Sequence, residues 1–347
     1  MTRTIGGEFE LDALPRRLLA QDLTQGLKGS WTVSGRAALL ALLKTLKGQG
    51  IRKVLLPAYL CYSVAQPVHA CGLEADYYPV SEDLAAHPQP EKNAAILLIH
   101  YFGWLNPSTE MLRRECAGSD VLIEDFTQSF LSSWQVPPES SSLIFFSMRK
   151  LGPVPLGGWF NREVPLPPMP PGYQAVFWKS VAARLMKYRH LQQEGESGPG
   201  DEPTFLRIFQ SVERALDRSA EPCRLDADAL KLILGINWQS AAWARRGNWA
   251  TLHTLLAGAG EPFFNALPEG VVPLGYILKA DNRKDLQAAL SAARIICPVL
   301  WPLPPEIDKK RFPVSHSLSQ SLLTLPIDQR YGEEEMETIA HVIRALV

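Results

Sequence analysis

A lysine follows directly on an apolar run in the stretch FFSMRKLGPVPLGGWF, residues 145–160. The run ends at Ser147, and Arg149 and Lys150 come within the next three positions. Buried strands seldom end in adjacent cations, because a charge is costly to bury without a partner. A lone lysine is usually a solvated side chain, so a lysine at the end of a core strand needs an explanation.

Three other groups stand where the sequence predicts that a strand or helix begins or ends. Ser34 and Gly35 precede an apolar helix, and Asp125 follows the run DVLIE. Tyr59 and Tyr62 follow the run KVLLP. Free N–H groups at a helix N-terminus favour an anion such as phosphate. Taken singly, the serine also fits an ordinary N-cap, the aspartate a loop carboxylate and the tyrosines a packing role.

Together these residues describe one ligand with a phosphate, a flat ring, a ring cation and a carbon that bonds an amine. Pyridoxal 5′-phosphate (PLP) has all four features. Its ring acts as an electron sink when a carboxylate keeps the pyridinium nitrogen protonated, a role open to Asp125. Lys150 would form the Schiff base. Tyr59 or Tyr62 would cover the ring, and Tyr62 is favoured because it lies closer to the next helix.

The elements that would position these residues alternate regularly between residues 30 and 160. Continuously apolar runs predict buried strands, and amphipathic stretches between them predict helices. This alternation predicts an α/β fold with a mostly parallel sheet that is covered on both faces. In such a sheet ligands bind at the carboxyl ends of the strands, where Asp125 and Lys150 stand. The predicted strands are KVLLP, EADYYPV, AAILLIHYFG, DVLIEDF and SSLIFFS.

The rest of the chain departs from this rhythm and then returns to it. Five prolines between residues 165 and 171 predict a stiff connector, and two helical stretches follow it, joined by the polar loop 192–203. The last third again mixes strands and helices. We predict an N-terminal segment (1–29), a PLP-binding large domain (30–225) with a helical excursion (161–225), and a small C-terminal domain (226–347).

Composition excludes several classes of protein. The 347 residues include 35 basic and 36 acidic side chains, with no basic block of the kind that binds nucleic acid or an anionic membrane. Five scattered cysteines without a CxxC pair predict free thiols in a reducing compartment and no structural zinc. The N-terminus lacks the apolar core of a secretion signal, and the longest apolar run is too short to span a bilayer. We therefore expect a cytoplasmic protein.

The order of these motifs resembles the DegT/DnrJ/EryC1/StrS aminotransferases, a family of fold-type I PLP-dependent enzymes. SGRAALLALL is similar to the family's phosphate-binding start SGTxALxLAL, and EDFTQSF is similar to its ED-A-AQ-S motif. Lys150 and the glycine pair 157–158 keep the family's spacing. The resemblance continues to the end of the chain through RRGNWATL and LLTLPIDQRYGEEEMETIA. It implies that Asp125 meets the pyridine nitrogen and that Gln128 lies near the ring hydroxyl.

The chain also departs from the family pattern. Arg36 replaces the threonine of SGT, and Ser147 precedes the lysine by three residues rather than five. The resemblance still places Ser34, Gly35, Arg36 and Ser147 at the phosphate. The acid that usually precedes the glycine pair is missing from PVPLGG. GINWQ at 235–239 is similar to a motif that reaches the phosphate from the neighbouring subunit, which makes Asn237 a candidate for that contact.

The resemblance implies an aminotransferase that works as a homodimer. An amino donor, glutamate or glutamine, would load the cofactor, and a carbonyl acceptor, in this family usually a keto-sugar nucleotide, would take the amine. Lys150 would also shuttle the proton. Two alternatives stay open: a non-catalytic PLP-binding regulator, and a PLP-dependent sugar dehydratase, although such relatives carry histidine where Lys150 stands. Roles for His100, His316 and Arg330 also stay open.

Overall fold

The computed structural model describes residues 4–19, 27–116, 121–132, 142–192, 204–218 and 221–346. Within these ranges it contains twelve β-strands and ten α-helices. The strands are β1 (Ile5–Gly6), β2 (Ser30–Thr32), β3 (Lys53–Pro57), β4 (Glu74–Tyr78), β5 (Ala94–Ile99), β6 (Val121–Asp125), β7 (Leu143–Ser147), β8 (Gly158–Phe160), β9 (Glu261–Pro262), β10 (Tyr276–Lys279), β11 (Ile295–Ile296) and β12 (Leu322–Leu325). The helices are α1 (Gly35–Gly48), α2 (Tyr62–Ala70), α3 (Thr109–Glu115), α4 (Pro171–Gln192), α5 (Thr204–Arg218), α6 (Ala227–Leu234), α7 (Trp238–Leu255), α8 (Arg283–Ala292), α9 (Pro313–Ser321) and α10 (Glu333–Arg344).

A seven-stranded sheet organises the large part of the chain, in the order β2-β8-β7-β6-β5-β3-β4. The five strands from β7 to β4 run parallel, as the alternation of apolar runs and helices predicts. β8 is antiparallel to both of its neighbours, and neither β8 nor β2 is evident from sequence pattern. The predicted α/β class with a mostly parallel sheet is thus confirmed. Asp125 ends β6 and Ser147 ends the adjacent β7, so both lie at the carboxyl edge of the sheet.

Burial explains the continuous apolar runs. Every residue of β5 is buried, because helices cover the sheet on both faces. The apolar residues of α1 pack on the sheet in the same core as β3 and β5. A second core lies between the strands β7 and β8 and the helices α4, α5 and α6.

The helical excursion packs mainly on its own lobe. Phe177 of α4 and Phe205 and Phe209 of α5 are buried, in the second core and in a small cluster beside it. Trp178 and Met186 remain exposed on α4. Most of the large apolar side chains of α4 and α5 therefore serve to hold these two helices against each other and against the main sheet. Of the predicted polar loop 192–203, only residue 192 lies within the described residues.

The C-terminal part has a three-stranded antiparallel sheet, β12-β10-β9, covered by α7, α8 and α10. The N-terminal segment joins this part, since β1 pairs in parallel with β11. At that contact Gly6 has a φ of 93°, and a Cβ on it would lie 2.3 Å from the carbonyl oxygen of Ile296. Only glycine fits this backbone. Across the described part of the chain, no helix is both long and apolar enough to cross a bilayer.

Candidate active site

A cavity of about 390 Å³ opens at the carboxyl edge of the large sheet, where α1 begins. This is the place where ligands bind in open α/β sheets. The structure brings seven of the nine sequence-predicted site residues into its wall: Ser34, Gly35, Arg36, Asp125, Gln128, Ser147 and Lys150. The N-terminal segment and the C-terminal part close the cavity from the other side, with Gly7, Phe9, Leu300, Trp301 and Arg330 among the lining residues.

The N-terminus of α1 presents hydrogen-bond donors to the cavity. Ser34 is the N-cap, and its hydroxyl accepts the N–H of Ala37 at 3.2 Å. The N–H groups of Gly35 and Arg36, the first two residues of the helix, have no acceptor among the described residues. The hydroxyl of Ser147 has no partner within the described ranges either. These donors at a helix N-terminus can hold an anion.

The backbone of β8 approaches the start of α1 closely, which leaves little space beside the helix N-terminus. A Cβ on Gly158 would lie 2.2 Å from the carbonyl oxygen of Ser34, and one on Gly35 would lie 3.0 Å from Cβ of Ser147. The N–H of Gly157 donates to the carbonyl of Val33 at 3.0 Å. The glycine pair after the lysine therefore lets β8 lie directly against the start of α1.

Asp125 places a buried carboxylate in the cavity wall. Its Oδ1 accepts the N–H of Thr127 at 2.8 Å, which fixes the carboxylate in one orientation. Burial raises the pKa of Asp125 to about 6, although the hydrogen bond from Thr127 and the charge of Lys150 act in the opposite direction. A cationic ligand beside this carboxylate would stabilise its ionised form.

Gln128 is oriented by a backbone donor. The N–H of Phe102 donates to its side-chain oxygen at 2.6 Å. Because a donor must face an oxygen, the amide NH₂ group of Gln128 points away from Phe102. That NH₂ group has no hydrogen-bond acceptor among the residues that the structure describes. Since Gln128 lines the cavity, it offers a donor to a ligand oxygen.

Lys150 ends a short 3₁₀ turn, Met148–Lys150, that follows β7. Its amine forms no hydrogen bond or ion pair with the described part of the chain. The backbone after it is held firmly, because the carbonyl of Leu151 accepts Nε2 of Gln329 at 2.8 Å and a nitrogen of Arg245 at 3.4 Å. Arg245 also donates to Oε1 of Gln329 at 3.0 Å. A free amine on a fixed backbone suits covalent chemistry with a small molecule.

The residues present fit PLP. Asp125 is a buried carboxylate that a ring cation would complement, and Lys150 is an amine without a protein partner. Gln128 offers a donor for a ring oxygen, and the start of α1 offers donors for a phosphate. No group of His, Cys, Asp or Glu able to hold a metal ion occurs in the described ranges.

Comparison with solved structures finds the same architecture over nearly the whole chain. A DegT DnrJ EryC1 StrS aminotransferase from Brucella abortus is 18% identical, with a TM-score of 0.63 over 95% of this chain and 91% of that chain. The sugar aminotransferase CalS13 from Micromonospora echinospora is 14% identical, with a TM-score of 0.66 over 98% and 99%. Spr1654 from Streptococcus pneumoniae, a proposed sugar aminotransferase solved in its PLP form, is 13% identical, with a TM-score of 0.66 over 98% and 93%. The chain has the fold of the DegT/DnrJ/EryC1/StrS aminotransferases. No protein-family model and no curated protein matches the sequence.

The DegT-type fold confirms the architecture that the motif order implied, and the structure places both candidate ring-covering tyrosines outside the lining of the cavity. Tyr59 is fully buried, its hydroxyl donates to the carbonyl of Leu300, and its ring lies 5.5 Å from that of Trp301. Tyr62 starts α2 and is 49% exposed. Neither tyrosine lines the cavity. This stretch lines the cavity instead with Cys61, the N-cap of α2, and with Ser63 and Val64 of its first turn.

Several polar residues left open by the sequence have structural partners. His100 is buried, and its Nε2 lies 2.9 Å from Oε2 of Glu124. The two carboxylate oxygens of Glu124 each also accept one nitrogen of Arg113. His316 contacts the carbonyl of Ile307 at 2.8 Å. Asn237 caps α7 and accepts the N–H of Ser240 at 3.0 Å, outside the cavity of its own chain.

Arg330 lines the cavity of this DegT-type fold with its donors already engaged. Nε and Nη2 contact the carboxylate of Asp328 at 2.7 and 2.9 Å, and Nη1 contacts Oε2 of Glu10 at 2.8 Å. The remaining donors reach the carbonyls of Gly7 and Glu8, both at 3.1 Å. Arg330 therefore fastens the N-terminal segment over the cavity. The sequence motif DQRY contains Asp328, but it gave no sign of the contacts with Gly7, Glu8 and Glu10, which lie more than 300 residues away.

Proposed function

We propose that this chain is a PLP-dependent aminotransferase that moves an amino group from an amino acid to a carbonyl acceptor. The observation that carries the proposal is that one cavity at the sheet edge contains both an amine without a protein partner, Lys150, and a buried carboxylate, Asp125. The fold shared with aminotransferases supports it. Because one of those neighbours is a sugar aminotransferase, we propose a keto-sugar, carried on a nucleotide, as the acceptor to test first.

Each cofactor feature has a residue to hold it. Lys150 Nζ would bond the carbonyl carbon, Asp125 would face the ring nitrogen, and Gln128 would donate to the ring oxygen. The N–H groups at the start of α1 and the Ser147 hydroxyl would hold the phosphate. When bound, PLP supplies an electron sink that stabilises negative charge on the substrate carbon.

Lys150, Asp125 and the apolar wall of the cavity would each have a separate role in the reaction. Lys150 Nζ would take the proton from Cα of the amino donor and return it during transfer to the acceptor. Asp125, ionised beside the ring nitrogen, would keep that nitrogen protonated. The positively charged ring could then accept electrons from the substrate carbon. The apolar wall of Leu300, Trp301 and Leu274 excludes water from the same space.

Absorbance spectroscopy of the purified protein with PLP tests this proposal. An aminotransferase should lose the absorbance of its lysine-bound cofactor when glutamate or glutamine is added, and it should release the matching keto acid. Adding a carbonyl acceptor should restore the first spectrum. A PLP-bound protein whose spectrum stays unchanged with every amino donor would support the non-catalytic regulator instead.

We further propose a homodimer, with the active sites near the subunit interface. Exposed aromatic side chains support it: Trp243 of α7 is 68% exposed and Tyr62 beside the cavity rim is 49% exposed. Light scattering on the whole chain with PLP bound should give a mass of two subunits. A mass of one subunit at micromolar concentration would contradict the proposal.

A further inference from the structure

Four side chains of alternating charge meet at the end of the cavity where α1 begins. Arg36 pairs with Asp217, and Arg149 pairs with Glu213. All four line the cavity. Both carboxylates belong to α5 of the helical excursion, so that helix brings two negative charges to a helix N-terminus that favours an anion.

The two halves of this array differ in burial. The side chains of Arg36 and Arg149 are 11% and 15% exposed, whereas those of Asp217 and Glu213 are 60% and 43% exposed. Half-exposed ion pairs contribute little to stability, so the carboxylates can turn toward water at small cost. Nε of Arg149 is buried and has no hydrogen-bond acceptor within the described ranges. The arginines are therefore largely buried cations, and their more exposed partners are replaceable.

We propose that Arg149 joins Arg36 in binding the phosphate of the cofactor, and that Glu213 and Asp217 are counter-anions which this phosphate displaces. The inference rests on the proposed function. A phosphate monoester carries about −1.5 to −2 charges at neutral pH and three acceptor oxygens, which suit two guanidinium groups. With both carboxylates in place the arginines are neutralised, and the phosphate would meet two like charges.

A purely structural role for these ion pairs makes the opposite prediction. If Glu213 and Asp217 only fasten α5 to the main lobe, removing them loosens the helix and leaves phosphate binding unchanged or weaker. If they compete with the phosphate, removing them tightens its binding. The sign of the change in affinity therefore separates the two roles.

Pyridoxamine 5′-phosphate and pyridoxamine form a matched pair of probes, since they differ only in the phosphate and need no covalent bond to Lys150. In the double variant Glu213→Gln/Asp217→Asn, we expect the phosphorylated probe to bind about three- to tenfold more tightly by calorimetry. In Arg149→Gln we expect it to bind about tenfold or more weakly, because a charge-assisted contact is lost. Pyridoxamine should bind each variant as it binds the parent protein.

Controls separate this site from general charge effects and from misfolding. Arg214→Gln on the exposed face of α5 removes one positive charge away from the cavity, and Glu221→Gln, at a residue that pairs with Lys44 at the surface, removes one negative charge there. Both should leave the affinities unchanged. If Arg149→Gln does not fold, Arg149→Lys keeps the charge and should show a smaller loss.

Two results would overturn the proposal. One is a double variant that binds pyridoxamine 5′-phosphate no more tightly than the parent. The other is an Arg149 variant that loses affinity equally for both probes. Failure of the proposed function would look different, since the parent protein itself would then bind neither probe.

Discussion

Replacing Lys150 by alanine is expected to abolish covalent attachment of PLP and to cut amino transfer by about 10⁴-fold or more. General acid–base catalysis by one positioned group is worth about 10²–10⁴-fold, and the same amine also provides the covalent bond. Arg36, Arg149, Arg245 and Arg330 also line the cavity, but each already has protein partners. Lys150 is thus the cavity cation without a partner among the described residues.

Borohydride reduction followed by peptide mass mapping measures this directly. In the parent protein a stable pyridoxyl group should appear on the peptide that contains Lys150, and it should be missing from Lys150→Ala. Lys179→Ala, an exposed lysine on α4, is the matched control and should retain the label. Labelling of Lys187 would contradict the assignment. That outcome is not expected, because Lys187 Nζ already contacts Oε2 of Glu10 at 3.2 Å and the carbonyls of Gly6 and Glu8.

Replacing Asp125 by asparagine is expected to lower turnover by about 10²–10³-fold while the cofactor still binds. The substitution keeps the shape of the side chain, and an amide oxygen can still accept the N–H of Thr127. What it removes is the negative charge that we propose to lie opposite the ring nitrogen, and losing one preorganised electrostatic contact typically costs this much. Steady-state kinetics with saturating PLP measure the loss. Normal turnover in this variant would reject the role given to Asp125.

The same substitution should stabilise the protein without cofactor at high pH. Because burial raises the pKa of Asp125 from 3.8 to about 6, the folded state binds this proton more tightly than the unfolded state. Stability is therefore lost as the pH rises from about 4 to about 6, and the full effect of about 3 kcal/mol persists above that range. An asparagine has no such proton to lose.

Thermal unfolding of the cofactor-free protein at pH 5 and pH 8 tests this effect. Asp125→Asn should raise the melting temperature relative to the parent at pH 8, and the advantage should shrink at pH 5. Asp228→Asn, which removes an exposed carboxylate on α6, is the control and should show no such difference between the two pH values. An Asp125→Asn protein that melts no higher than the parent at pH 8 would show that the buried charge is not costly.

Lower turnover together with higher stability in Asp125→Asn would show why the carboxylate is present. A carboxylate kept for packing would weaken the fold when its charge is removed. A carboxylate kept for a cationic ligand is a burden to the empty protein and a benefit to the loaded one. Asp125 is expected to behave in the second way.

The sequence by itself determined the five parallel strands of the large sheet and the residues that stand at their carboxyl ends. Asp125 and Lys150 could be placed there because an apolar run specifies a buried strand, and whatever follows the run must emerge at its end. The same reasoning located Ser34 at the start of α1, since an N-cap is a local feature of a few residues. A residue whose role depends only on its position at the end of one strand or helix can be predicted without knowing the tertiary structure.

Tertiary structure alone decided which way side chains turn and what they meet. Tyr59 and Tyr62 both follow the apolar run KVLLP, but one ring packs on Trp301 and the other faces solvent. The partners Glu213 and Asp217 reach the cavity from a helix more than 60 residues beyond Arg149 and 180 residues beyond Arg36. Such contacts depend on how two elements dock, and no local pattern of residue types records that docking.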